Sequence, residues 1–107
     1  MATFMIQFSY TEQGVKGLLK EGGSKRRDAT EQLVKSLGGK LVAYYFAFGE
    51  HDGFAIVEGV DNIDVAAANL IVGASGAVRT KTTVLLTPDE VDKATRKSGN
   101  YRAPGQQ

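Results

Sequence analysis

KLVAYYFAFGEHDGFAIVEG, Lys40 to Gly59, is the stretch that decides the fold. Lys40 to Phe48 is a nearly continuous apolar and aromatic run of strand type, and Phe54 to Glu58 is another. Gly49 to Gly53 is a short connection between them, so the two runs read as a hairpin. Pairing Phe48 with Phe54 places Phe46 opposite Ile56 and Tyr44 opposite Glu58. In that register Val42, Tyr44, Phe46, Phe48, Phe54, Ile56 and Glu58 share one face. Leu41, Ala43, Tyr45, Ala47, Ala55 and Val57 share the other, whose smaller side chains suit packed helices. A one-residue change in register would exchange the faces of a strand.

Upstream, Phe4, Ile6, Phe8 and Tyr10 alternate with Thr3, Met5, Gln7 and Ser9, the period of a strand. Thr11 to Lys20 can hold a short helix that Gly14 and Gly17 weaken. After Gly22 and Gly23, Ser24 is placed to cap a longer helix to about Leu37. Ala29, Leu33 and Leu37, with Thr30 and Val34 beside them, give that helix its inward stripe. Downstream, Asp61 caps a helix to about Ala74, with either Val65, Ala68 and Val72 or Ala66, Leu70 and Gly73 turned inward. Val78 to Leu86 is a fourth strand. Thr87-Pro88-Asp89-Glu90 is a helix start with a capping hydroxyl, proline at the first position and glutamate at the third. That helix fades near Lys97.

The order is β-α-β-β-α-β plus a C-terminal helix. Two split β-α-β units predict an α+β, ferredoxin-like, four-stranded antiparallel sheet with both main helices on one face. Residues 1–97 form one domain and 98–107 a polar tail.

The chain has 107 residues, no cysteine and a formal net charge of +1. It is therefore one domain with no disulfide framework, thiolate metal site or thiol nucleophile. No apolar run is long enough to cross a bilayer and no signal-peptide pattern is present, so the expected location is cytoplasmic, without membrane contact. Near-neutral charge gives no general pull toward nucleic acid.

Four ordered pieces carry a family resemblance: Tyr10-Thr11-Glu12-Gln13-Gly14, Leu37-Gly38-Gly39-Lys40-Leu41, Gly49-Glu50-His51-Asp52-Gly53 and Val78-Arg79-Thr80. Over residues 3 to 92 the chain resembles the GYD domain family. The resemblance implies a ferredoxin-like domain related to the dimeric α/β barrels, and no particular reaction. His51 stands where that family usually has tyrosine in its G-x-Y-D corner.

Helices of one domain cover one sheet face. The other would expose Val42, Phe46, Phe48, Phe54 and Ile56 to water, and such a patch marks an interface. A second copy of the same sheet is the simplest cover, giving a homo-oligomer. Gln7, Tyr44, His51, Asp52, Glu58 and Arg79 are the candidate ligand-binding residues beside it. They would either line a small chamber or form the wet rim of a plain interface.

Three sharper readings attach to the same stretch. Gly53-Phe54-Ala55-Ile56-Val57 echoes an RNA-binding strand, but Asp52, Ile56 and Gly59 occupy positions that need a base and two aromatics, so nucleic acid is not expected. Glu50, His51 and Asp52 offer metal donors, yet adjacent residues rarely converge on one ion and no second histidine exists; no metal is expected. A lone histidine beside a chamber can act as a general base. The expected function is thus a non-catalytic homo-oligomeric module without cofactor, binding a small molecule or a protein. The alternative is a cofactor-independent oxygenase or isomerase of the dimeric-barrel class.

Overall fold

The structure, a computed structural model, describes residues 2–106. Its elements are β1 (Thr3–Tyr10), α1 (Glu12–Glu21), α2 (Gly23–Ser36), β2 (Lys40–Phe46), β3 (Gly53–Glu58), α3 (Asn62–Ala74), β4 (Val78–Leu85) and α4 (Pro88–Thr95). The strands form one antiparallel sheet in the order β2-β3-β1-β4. This is the ferredoxin-like arrangement expected from the element order. No helix among the described residues is long and apolar enough to cross a membrane.

The core lies between the sheet and α2 and α3. Phe4, Ala55 and Val57 from the central strands meet Val34, Leu41, Val60 and Val65 there, and Phe4 is 2% exposed. Of the two stripes open to α3, Val65, Ala68 and Val72 turn inward, while Ala66, Leu70 and Gly73 are exposed. On α2, Val34 is buried and Thr30, Leu33 and Leu37 are half-buried, but Ala29 faces solvent, contrary to the expected stripe.

α1 is a complete helix of 10 residues despite its glycines. Thr11 accepts the Gly14 amide at its start. Gly14 is buried against the Ala77 carbonyl, where any Cβ would collide. A residue that weakens the isolated helix is what lets it dock. Ser24 does not cap α2. Gly22, at φ 88°, ends α1 through its amide to the Leu18 carbonyl, and α2 begins at the next residue. A left-handed glycine reverses the chain so tightly that Ser24 already lies inside the helix.

The hairpin register also differs from expectation. Phe54 lies opposite Tyr45 rather than Phe48, and Ile56 opposite Ala43, with a β-bulge between Leu41 and Ala43. The shift from Phe48 to Tyr45 is three residues, an odd number, so β2 presents the opposite set of side chains. Tyr44 and Phe46 point to the helix side. Tyr44 stacks on Phe8 with ring centroids 5.3 Å apart, and Phe46 meets Phe8 edge-on at 6.0 Å and lies against Gly23. Phe48 lies beyond β2 and is fully exposed. The five proposed interface side chains therefore do not share one face. Phe54 and Ile56 remain on the open face, joined by Tyr45.

Past β4 the chain leaves the body. The principal packings between helices and other elements join α2 to β2, α3 to β4, and α1 to α2 and β1; none involves α4. The radius of gyration is 17.3 Å over a longest axis of 60 Å, against about 13 Å for a compact chain of this length.

Candidate functional site

The open sheet face is built from alternate residues of all four strands. One row runs Tyr45, Phe54, Gln7, Lys81; the next runs Ala43, Ile56, Met5, Thr83. Ser9 and Arg79 form a row toward one end, and Glu58, Thr3 and Leu85 form one toward the other. The centre is apolar, with Tyr45 and Phe54 at a centroid distance of 5.6 Å and Tyr45 61% exposed. Polar side chains ring it.

The Gly49–Gly53 corner folds back onto the end of β1. The Tyr10 amide donates to Asp52 Oδ2 at 2.7 Å, and the Asp52 amide donates to the Phe8 carbonyl at 2.8 Å. The Ala47 amide donates to the Asp52 carbonyl at 2.8 Å, closing the loop. His51 Nδ1 lies 3.3 Å from Ser9 Oγ. Asp52 is thus held as an acceptor for backbone amides, the ordinary work of an aspartate at a turn. No cluster of three metal-ligating side chains occurs among the described residues.

Of the sequence-derived candidates, Gln7 and His51 share a shallow depression with Phe48 and Phe54. Arg79 is adjacent through Ser9. Glu58 does not join them: its row is at Thr3, six residues along β1 from Ser9, or about 20 Å at the rise of a strand. Tyr44 lies on the far side of the sheet. Burial, then the neighbouring Tyr10 hydroxyl, push its phenol well above the ordinary tyrosine range, while the Thr30 hydroxyl and the Arg26 charge act weakly the other way. Tyr10, Arg26 and Thr30 were not among the expected site residues. Their signal was a polar pair, Arg26 and Thr30, four apart and leading the inward stripe of α2 toward Val34.

α3 adds a second unpartnered surface. Its outer side carries Ile63, 77% exposed, Leu70, 74% exposed, and Ile71. No charged residue occurs from Val65 to Val78. A helix apolar on all sides is ordinarily covered on all sides.

Residues 4–95 match the family model described as the GYD domain. The glutamine synthetase and cystathionine beta-lyase binding protein of Thermus thermophilus is 30% identical over 82 residues, spanning 77% of this chain and 85% of that protein. No solved structure gives a significant match. Matched over nearly its whole length, in the order of elements the fold displays, the chain belongs to the GYD domain family.

Proposed function

We propose that the chain is a homo-oligomeric binding module that docks a protein partner through the outer face of α3. The observation that carries the partner reading is that face: three large aliphatic side chains in water on a helix that carries no charge beyond Asp64 in its first turn. The open sheet face supports self-association, because Tyr45, Phe54 and Ile56 have no helix over them and a two-fold copy of the sheet would complete their burial. The wide separation of His51 and Glu58 supports binding over catalysis, since those two groups do not converge as an acid–base pair.

The relative named for binding glutamine synthetase and cystathionine beta-lyase points to the kind of partner. Those two enzymes, purified from the organism that supplies this chain, are the first candidates. In surface plasmon resonance at least one should bind with a Kd of about 10 μM or tighter, an affinity within reach of a standard interface. Leu70→Glu should abolish that binding while circular dichroism and melting remain as in the wild type. Failure of both enzymes to bind, or binding unchanged in Leu70→Glu, overturns the partner reading.

A further inference from the structure

On the helix side of the sheet, α2 leans on β2 and α3 on β4, and a cavity of about 80 Å³ opens between them. Ile6, Phe8, Ala55 and Val57 form its apolar floor. Tyr10, Arg26, Thr30 and Tyr44 gather at one end, with the Tyr44 hydroxyl beside those of Tyr10 and Thr30 and near the guanidinium. No carboxylate is among the lining residues. Glu21 reaches Arg26 from outside at 3.4 Å, and both side chains are partly exposed. That long, solvent-screened pair restrains the arginine only weakly.

We propose that this cavity binds a small monocarboxylate with a short apolar tail. The tail lies on the Ile6, Phe8, Ala55 and Val57 floor, and the carboxylate takes the Arg26 guanidinium with the tyrosine hydroxyls as further donors. Size sets the class. One water takes roughly 10–15 Å³ of such volume, so the cavity holds about five to eight non-hydrogen atoms. Charge narrows it. A purely apolar ligand would give the guanidinium no anionic partner inside the cavity, an amine would face the guanidinium, and a phosphate would set two charges against one cation over an apolar floor. The site lies across the sheet from the self-association surface and does not rest on the partner reading.

The test is calorimetric titration of 3-methylbutanoate, with 3-methylbutanamide and 3-methylbutylamine as isosteres, and amide NMR to locate the ligand. The acid should bind, with shifts confined to α2, α3 and the floor strands. The amide should bind about tenfold more weakly, and the amine should show no heat. Arg26→Gln should weaken the acid about tenfold, Arg26→Lys less, and Glu21→Gln should tighten it by releasing the guanidinium. Equal affinity for acid and amide overturns the proposal. So does unaltered binding in a folded Arg26→Gln, or no acid binding by the wild type up to about 10 mM. If Arg26→Gln does not fold, Arg26→Lys decides: affinity for the acid unaltered in that variant overturns the proposal.

Discussion

Asp52 and Tyr10 are 42 positions apart in the chain, yet the Tyr10 amide donates to the Asp52 carboxylate at 2.7 Å. Tyr10 is the last residue of β1, where the sheet ladder would otherwise leave an amide to solvent. The corner that looks most chemical in the sequence is therefore a clasp between the hairpin and the central strand.

Asp52→Ala should lower the unfolding free energy by about 1–3 kcal/mol, because it orphans a half-buried amide as well as losing a bond to a charged acceptor. Asp52→Asn keeps an acceptor oxygen and should cost less. His51→Ala should cost under about 1 kcal/mol, since its contact with Ser9 is long, at 3.3 Å, and partly exposed. Urea denaturation of the three variants checks the order. A larger loss in His51→Ala than in Asp52→Ala would contradict it.

Gly53→Ala should destabilise by about 1–3 kcal/mol. A Cβ at this buried residue would collide with the Phe8 ring and the Tyr45 carbonyl, and the carbonyl belongs to backbone that cannot swing aside. Gly17→Ala, where a Cβ meets nothing, should stabilise α1 by about 0.5–1 kcal/mol. Thermal melts of the pair give the comparison. Equal melting temperatures would show that the sheet yields at Gly53.

Ile56→Asp should yield monomer or aggregate, since an unpaired charge buried at the centre of the proposed self-association surface would cost several kcal/mol. Lys93→Asp on α4 should leave assembly unchanged. Phe46→Asp should act differently from Ile56→Asp: Phe46 packs on Phe8 and Gly23, so the loss should appear in the stability of the subunit. Light scattering coupled to size exclusion separates the cases. A wild-type monomer at micromolar concentration would remove the premise.

The raised ionisation range of Tyr44 has a stability consequence with a definite sign. Burial favours the neutral phenol in the folded state. Its contribution is complete below the ordinary tyrosine value of 10.0 and is lost as pH rises from there through the raised folded value. Tyr44→Phe, which cannot ionise, should therefore lose less stability than the wild type between about pH 10 and 12. Denaturant midpoints measured over that range decide it. Parallel curves for the two proteins would mean that the phenol titrates normally.

Local patterns were enough for the elements. Alternation in Thr3–Tyr10 marks a strand wherever it pairs, and Thr87, Pro88 and Glu90 start α4 with a capping box made within four residues. Asp61 and Asp64 do the same for α3. Element order then restricted the sheet to one familiar topology. The faces of β2 were settled differently. Its register depends on a bulge after Leu41, on Gly53 fitting beneath Phe8, and on Asp52 finding the Tyr10 amide. All but the bulge involve β1, more than 40 residues away, so nothing within the hairpin reveals them. Because side chains alternate with a period of two, that three-residue shift moved Tyr44 from the open face into the company of Tyr10, Thr30 and Arg26. The sequence by itself determined the strands, the helices and an uncovered sheet face; only tertiary contact decided which aromatics stand on that face and which line the cavity behind it.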